Sequence, residues 1–337
     1  MYAVNLICLG SAVAVVWLLM PVLLPKLKKM KFGQTIYDLG PQSHKAKQGT
    51  PNMGGLLIGL GTVAASVGAA VYLTRTGREA FPFWSLENPL FALLFVALGS
   101  MAIGFTDDYI KDVKKRHDGL SPIQKIIGQL LVGAVFSFYC YYYKGSAIYV
   151  PFTDLKWNLG IFYVPVMTLL VMFMTNSANL QDGLDGLLST VTGVGMIGFG
   201  VIGMLLPGGG NLILSACAYA LCGGCCGFLR YNAYPARIFM GDTGSMFIGG
   251  MMVGLAMLMR MEFLLLLLCF TCILSSLSVM LQVTYFKLTH GKRIFKMSPI
   301  HHHFELCGMK ETQIVWMYAA VEIVLSALAV WSVSGLF

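Results

Sequence analysis

The sequence contains few charged residues. Aspartate, glutamate, lysine and arginine make up 11% of its 337 residues, whereas about a quarter is usual for soluble domains. This scarcity excludes an ordinary soluble globular protein, and the mean hydropathy of +0.74 supports the exclusion. The apolar residues occur in runs of roughly 20, which is enough for a helix to cross about 30 Å of hydrocarbon. We therefore predict an all-α polytopic membrane protein with a single packed helical domain.

Ten apolar runs predict ten transmembrane helices. Lysine and arginine flank them unevenly, because all but five of the 23 lie in or beside one set of alternating loops. The positive-inside rule places that set in the cytoplasm and both chain termini outside. Loop orientation and anionic lipid headgroups then explain the net charge of +8, without nucleic acid as a partner. The predicted spans are 2–24, 53–73, 89–106, 123–143, 160–178, 187–206, 212–230, 243–260, 263–287 and 314–336.

Histidine is also scarce, and its placement is informative. The chain has six histidines, and three of them are consecutive at His301, His302 and His303, in a lysine-rich loop on the predicted cytoplasmic side. Three successive side chains point in different directions, which disfavours a zinc site with three histidine ligands. Imidazoles among lysines suit a polyphosphate, since both groups donate hydrogen bonds to phosphate oxygens. The simpler alternative is a patch that binds lipid headgroups.

Two adjacent carboxylates, Asp107 and Asp108, close the third span. Lys111 lies four residues after Asp107, so one helical face can hold both charges. The structural alternative is a salt-bridged helix end. Burying carboxylates at an apolar boundary is costly, and this cost favours a functional role.

Further carboxylates follow the fifth span and begin the eighth. Asp182 and Asp185 flank Gly183, and glycine lets the backbone approach a ligand closely. The alternative is a turn in which an aspartate caps the sixth helix. Asp242 could likewise cap the eighth helix, although a helix N-terminus also binds phosphate through its free N–H groups.

These residues all belong to the predicted cytoplasmic face. They comprise carboxylates for a hard cation, and lysines and imidazoles for phosphates, with Lys45 and Lys47 adding charge from the first loop. Mg²⁺ takes oxygen ligands and commonly shares them with substrate phosphates. The pattern therefore indicates a Mg²⁺-dependent enzyme that acts on a pyrophosphate substrate, with a second substrate that arrives from the bilayer.

Four motifs together resemble a known enzyme family. They are the Asp-Asp pair at 107–108, the segment 179–186, Phe-Met-Gly-Asp-Thr-Gly-Ser at 239–245 and Pro-Ile-His-His-His-Phe-Glu at 299–305. They closely resemble the phospho-N-acetylmuramoyl-pentapeptide transferases, a branch of the polyprenyl-phosphate N-acetylhexosamine-1-phosphate transferase superfamily. The last two motifs look specific to that branch. One departure is Asn52, where the family pattern has threonine.

The resemblance implies the first membrane step of peptidoglycan synthesis. The enzyme would transfer phospho-MurNAc-pentapeptide from UDP-MurNAc-pentapeptide to undecaprenyl phosphate and release lipid I and UMP. It would require Mg²⁺, lie in the bacterial cytoplasmic membrane and form a homodimer.

The resemblance also implies roles for individual residues. Asp242 would bind Mg²⁺, Asp107 would be the base or nucleophile, and Asp108 would support it near the lipid phosphate. Phosphates would be bound by Lys111, Lys125 and His301. Phe239 would stack on uracil. The implied substrate-binding positions are Lys47, Asn52, Asn179, Leu180, Asp182, Gly183, Asp185, Asn232, Phe239, Gln282, His302 and His303.

Several alternatives stay open at this level. The β-phosphate could be attacked by Asp107 or directly by the lipid phosphate, and direct attack is favoured because a phosphomonoester is already mostly dianionic near neutral pH. A sister enzyme that uses UDP-GlcNAc is the nearest rival, and an ion-coupled transporter is the rival from another class. A transporter predicts charges at mid-depth, where only Glu322 is placed. In the long ninth span, polar Gln282 and Thr284 predict a break or a strong tilt near the cytoplasmic end.

Overall fold

The computed structural model describes residues 2–29, 47, 49–78, 81–112, 119–153, 155–206 and 211–334. Lys45, which was predicted to add charge to the phosphate site, lies outside the described residues. Buried apolar side chains from Val4 to Val333 form one core. In chain order the elements are α1 (Tyr2–Lys29), α2 (Gly55–Arg75), α3 (Pro89–Asp112), α4 (Pro122–Lys144), β1 (Ala147–Tyr149), β2 (Lys156–Asn158), a 3₁₀ turn (Gly160–Phe162), α5 (Tyr163–Gln181), α6 (Leu187–Leu205), α7 (Asn211–Asn232), α8 (Gly241–Met259), a 3₁₀ turn (Glu262–Leu264), α9 (Leu265–Leu268), α10 (Phe270–Leu288), α11 (Ile300–Leu306) and α12 (Glu311–Ser334).

Within the described ranges, ten helices are long and apolar enough to cross a membrane, which confirms the predicted all-α polytopic fold. Their ends differ from the predicted spans by a few residues. The largest extension is that of α3, which continues to Asp112 rather than ending at 106. Asp107 and Asp108 therefore lie on the last turns of a regular helix. The helical register fixes the directions of their side chains.

Helix α8 is the centre of the bundle, since every residue from Thr243 to Met259 is buried. Its N-terminus packs closely against two other helices at glycine residues. A side chain at Gly55 of α2 would overlap the backbone of Gly244, and one at Gly104 of α3 would overlap the carbonyl of Asp242. These glycines bring α2 and α3 directly against the first turn of α8, which carries Asp242.

The ninth span is broken, but not where the sequence predicted. The break lies at Cys269 (φ −137°, ψ 27°), between α9 and α10, and α10 continues through Gln282 to Leu288. The prediction of a break near the cytoplasmic end was wrong. The side-chain amide of Gln282 makes its hydrogen bonds to the backbone of Ile294 and Phe295, and the helix continues past it. At the actual break, Glu322 of α12 accepts hydrogen bonds from the N–H and the hydroxyl of Thr271. A buried carboxyl thus caps a helix that begins inside the bundle.

A short hairpin lies at the end of the bundle opposite Asp242. Strands β1 and β2 are antiparallel, with Ile148 opposite Trp157. The guanidinium of Arg260, just after α8, donates to the carbonyl of Ala147 at 3.0 and 2.8 Å and ties the hairpin to the helices. The sequence analysis contained no strand here, because three-residue strands carry little periodic signal.

Candidate active site

Two lysines bridge two carboxylates where α3, α4 and α8 meet. The Nζ of Lys125 lies 2.9 Å from Oδ2 of Asp107 and 2.7 Å from Oδ2 of Asp242. The Nζ of Lys111 lies 2.5 Å from Asp107 and 3.4 Å from Asp242. The predicted pairing of Asp107 with Lys111, one turn later, is confirmed. Asp107 is fully buried, whereas the side chains of Asp242 and Lys111 are 18% and 37% exposed, so these two residues form the accessible side of the cluster.

Asp108, the residue after Asp107, holds the first turn of α8. Its carboxylate accepts from the N–H of Asp242 (3.2 Å), and from the N–H and hydroxyl of Thr243 (2.9 and 2.6 Å). The cap of α8 is therefore Asp108, supplied by a neighbouring helix. The alternative that Asp242 caps its own helix is wrong, because the Asp242 carboxylate turns to the lysines.

Asn52 connects the loop before α2 to Asp108 and to Asp112, the last residue of α3. Its Nδ2 donates at 3.3 Å to Asp108 and at 3.3 Å to Asp112. Gly241 adopts a left-handed conformation (φ +71°), and a side chain there would collide with Asp108 and Asn52. The glycine of the Met-Gly-Asp motif thus leaves room for this network.

The remaining oxygen of Asp242 is held by Asn179 at the end of α5. Asn179 donates from Nδ2 to Oδ1 of Asp242 at 2.7 Å and to the hydroxyl of Ser245 at 2.9 Å. Asp242 is consequently oriented by ammonium groups at one oxygen and by an amide at the other. Ser245 was not proposed from the sequence, although it lies one turn after Asp242.

The three carboxylates could hold a metal ion. Oxygen atoms of Asp107, Asp108 and Asp242 lie within 4.8 Å of one another, and a set of carboxylate oxygens suits a hard cation such as Mg²⁺. All three carboxylates accept from protein donors, Asp108 from the first turn of α8, and Asp107 and Asp242 from the lysines. The residues present therefore fit the predicted metal.

A second ionic cluster lies around Lys47. Its Nζ lies 2.8 Å from Asp185 and 2.7 Å from Glu311, the first residue of α12. Burial lowers the pKa of Lys47, but the hydrogen bonds to Asp185 and Glu311 outweigh it and raise the pKa above its ordinary value. Asp185 also accepts from the N–H of Ala236 at 2.9 Å. Sequence reasoning missed Glu311, which precedes the last span without a motif.

Two predicted substrate residues, Asn232 and Phe239, lie at the connection between α7 and α8, and Asn232 bonds beside Asp185 of the second cluster. Asn232 accepts from the N–H of Gly186 at 3.1 Å and donates to the carbonyl of Ile238 at 3.0 Å. The backbone of Phe239 pairs with Pro51 and Gly54, at 2.8 Å in each case. Its ring is half-buried, as is the side chain of Leu180. These contacts hold Phe239 at the surface of the site.

The side chains of the three consecutive histidines point in two directions. His301 and His302 lie against Gly183, where a side chain would overlap Nε2 of His301 and would lie 3.0 Å from Nε2 of His302. His302 also contacts Glu305 through Nδ1 at 3.2 Å. His303 turns to its own loop, where Nδ1 accepts from the N–H of Lys296 at 3.1 Å. The divergent rings agree with the argument against a site with three histidine ligands.

The segment 179–185 connects all three parts of the site. Asn179 contacts the first cluster, Gly183 underlies the histidines, and Asp185 belongs to the second cluster. Asp182 directly follows the last residue of α5. Burial, together with the neighbouring carboxylates Asp242 and Asp108, raises its pKa well above the usual value. Helix α6 begins after Gly186, whose own conformation is left-handed, so no aspartate caps it. The alternative of a simple capped turn is wrong.

Comparison with known proteins identifies the class. The family model described as glycosyl transferase family 4 matches residues 90–260, which include Asp107, Asp108 and Asp242. The chain is therefore a member of a family of transferases. With ten apolar helices among the residues that the structure describes, it is a membrane protein.

Curated relatives specify the branch. The chain is 44% identical over 310 residues to a phospho-N-acetylmuramoyl-pentapeptide-transferase of Acetivibrio thermocellus, which covers 91% of this chain and 89% of the relative. It is 42% identical over 326 residues to one of Bacillus subtilis, with 96% of each chain covered. A relative from Clostridium novyi is 42% identical over 307 residues, covering 90% of this chain and 89% of the relative. The chain belongs to the phospho-N-acetylmuramoyl-pentapeptide transferase family.

Proposed function

We propose that this chain transfers phospho-MurNAc-pentapeptide from its UDP carrier to undecaprenyl phosphate, giving lipid I and UMP. The observation that carries the proposal is the pair of lysine ammonium groups between Asp107 and Asp242. Such a cluster can neutralise a diphosphate while its carboxylates keep the lysines in place. The uneven distribution of lysine and arginine supports placing this face in the cytoplasm, where the nucleotide substrate is found.

Each cluster has a separate task in this proposal. Lys111 and Lys125 contact the phosphate oxygens, and Asp242 would hold Mg²⁺ together with Asp107. The ion would supply further charge neutralisation at the diphosphate. Asp108 keeps the first turn of α8 in position through its three hydrogen bonds. The charges and positions of these side chains meet the main requirements of phosphoryl transfer.

The nucleoside would bind at the second cluster. Phe239 offers a half-buried ring for stacking on uracil, and the Lys47–Asp185–Glu311 group fixes the loops around it. Leu180, Asp182 and Asn232 would line the same pocket. His301 and His302, resting on Gly183 between the two clusters, would contact the diphosphate and the sugar. We assign His303 a structural role, because its Nδ1 accepts from the N–H of Lys296 and holds its own loop.

The surroundings of Asp107 support direct attack by the lipid phosphate. Oδ1 of Asp107 accepts from the N–H of Leu120 at 2.7 Å, and Oδ2 faces both ammonium groups. Both oxygens of the carboxylate are therefore already engaged, and Asp107 would have to give up these contacts to attack the β-phosphate. Supplying labelled nucleotide substrate without lipid phosphate should give no labelled protein. A stoichiometric adduct on Asp107 would contradict direct attack.

Substrate discrimination tests the proposal as a whole. Purified protein with Mg²⁺ and undecaprenyl phosphate should release UMP from UDP-MurNAc-pentapeptide and not from UDP-GlcNAc. The opposite preference would move the assignment to the sister branch.

A transporter is disfavoured because Glu322, the carboxyl at mid-span, caps α10. The homodimer is also proposed by resemblance, and light scattering on the detergent-solubilised protein would test it.

A further inference from the structure

The segment that precedes the histidines is attached to one face of α10. Oε1 of Gln282 accepts from the N–H groups of Ile294 and Phe295, at 3.0 Å each. Its Nε2 donates to the carbonyl of Phe295 at 3.1 Å. The amide therefore makes three hydrogen bonds to backbone, at a position where the family resemblance implies a substrate contact.

A second attachment lies one turn earlier on the same face. The hydroxyl of Ser278 accepts from the N–H of Ile300, the first residue of α11, at 3.0 Å and donates to the carbonyl of Ser275 at 2.6 Å. The residue before α11 is Pro299, which has no side-chain group to cap the helix. Ser278 thus supplies the cap from another helix, and it is almost fully buried.

These two attachments lie directly before the imidazoles of His301 and His302 in the chain. His301 and His302 immediately follow Ile300, and their position over Gly183 depends on where α11 begins. We propose that Ser278 and Gln282 are positioning residues, which fix the segment 294–300 on α10 and thereby place His301 and His302 at the reacting phosphates. The proposal rests on the proposed function for its kinetic consequence, but the geometry can be tested without activity.

A positioning role and a substrate-contact role for Gln282 predict opposite effects of the same two substitutions. Gln282→Glu keeps an acceptor for Ile294 and Phe295, whereas Gln282→Leu removes it. If Gln282 is a positioning residue, the glutamate variant retains more activity than the leucine variant. The leucine variant should lose kcat on the order of tenfold or more, with little change in KM for the nucleotide. If Gln282 contacts substrate phosphates, glutamate is the worse substitution and KM rises, a result that would overturn the proposal.

Ser278→Ala provides an independent test with a matched control. Ser276 lies on the same helix and is equally buried, but its hydroxyl donates to Ser177 of α5 at 2.7 Å and does not touch the loop. Ser278→Ala should lower kcat on the order of tenfold, whereas Ser276→Ala should not. Equal losses in both variants would contradict the proposal.

Residue-resolved labelling with diethyl pyrocarbonate tests the geometry without turnover. His301 is buried, and the exposed His290 serves as the internal reference. Labelling of His301 relative to His290 should rise severalfold in Ser278→Ala and Gln282→Leu, and stay unchanged in Ser276→Ala. Unchanged labelling in all variants would overturn the proposal. If the wild type makes no UMP, the proposed function fails while this measurement still decides the positioning.

Discussion

The ammonium group of Lys125 lies 2.7 Å from the carboxylate of Asp242. The two residues are 117 positions apart in the chain and begin different helices. The same ammonium reaches Asp107 at 2.9 Å, so Lys125 keeps two carboxylates of the site from repelling one another. We regard this three-residue bridge as the core of the candidate active site.

Replacing Lys125 should therefore impair transfer strongly. Lys125→Met should lower kcat by about 10²-fold or more, because a preorganised charge at the reacting phosphates is lost. UMP release by purified protein measures the effect. Lys144→Met, at the other end of the same helix, is the control and should be near wild type. Near-wild-type kcat for Lys125→Met would remove this residue from the reaction.

Gly183 gives a steric prediction. In Gly183→Ala the added methyl group would overlap His301 and press on His302. We expect kcat to fall on the order of 10- to 100-fold, as small displacements of reacting groups do, with the protein still folded in detergent. Gly68→Ala is the control, since no atom lies within 4 Å of the added carbon. Full activity in Gly183→Ala would mean that the imidazoles need no such close approach.

Much of the site was predictable from local motifs. The Asp-Asp pair, the Met-Gly-Asp turn and the histidine triplet each carry a chemistry that residue types reveal. The partners of these motifs depend on tertiary packing and were not predictable. Glu311 precedes an apolar span without a signature, and the use of Asp108 as the cap of α8 requires knowing that α3 meets α8 at Gly104.

The fold, like the site, was predictable where local sequence decides it and not where tertiary packing decides it. Hydrophobic run length predicted ten spans because a helix must be long enough to cross the bilayer. The break at Cys269 has no proline or glycine to indicate it. It is stabilised by Glu322 of α12, which lies 51 residues after its partner Thr271. Polar Gln282 suggested a break at the wrong end, because its loop partners were not visible in the sequence.

The second cluster predicts an effect on nucleotide affinity. Glu311→Gln removes one of the two carboxylates that hold Lys47. KM for the nucleotide substrate should rise by roughly tenfold with kcat little changed, which corresponds to about 1.4 kcal/mol of lost binding. Steady-state kinetics separate the two constants. Glu87→Gln, exposed before α3, is the control. An unchanged KM together with a reduced kcat would contradict this prediction. It would show that Glu311 affects the chemical step at the Asp107–Asp242 cluster and not nucleotide binding.

A pH prediction concerns the end of the bundle opposite the site. Glu262 is buried and accepts from the hydroxyl of Tyr163 at 2.8 Å, and burial raises its pKa from 4.5 to about 7. The folded state therefore holds its proton more tightly than the unfolded state. The resulting stability is fully present below pH 4.5 and is lost as pH rises through about 7.

Thermal unfolding in detergent measures this contribution. Between pH 5 and 8 the wild type should lose up to about 3 kcal/mol more stability than Glu262→Gln, which keeps an acceptor for Tyr163 but does not titrate. Identical pH slopes for the two proteins would show that Glu262 does not carry a raised pKa.

In the proposed function, Asp242 organises the cation and the phosphates at the reacting centre. Its most direct test is UMP release as a function of Mg²⁺ concentration for the wild type and Asp242→Asn, with Asp112→Asn as the neighbouring control. The wild type and the control should show saturable activation by Mg²⁺. Asp242→Asn should show almost no release at any Mg²⁺ concentration that saturates the wild type. An Asp242→Asn enzyme with wild-type turnover and wild-type Mg²⁺ dependence would contradict the proposed site.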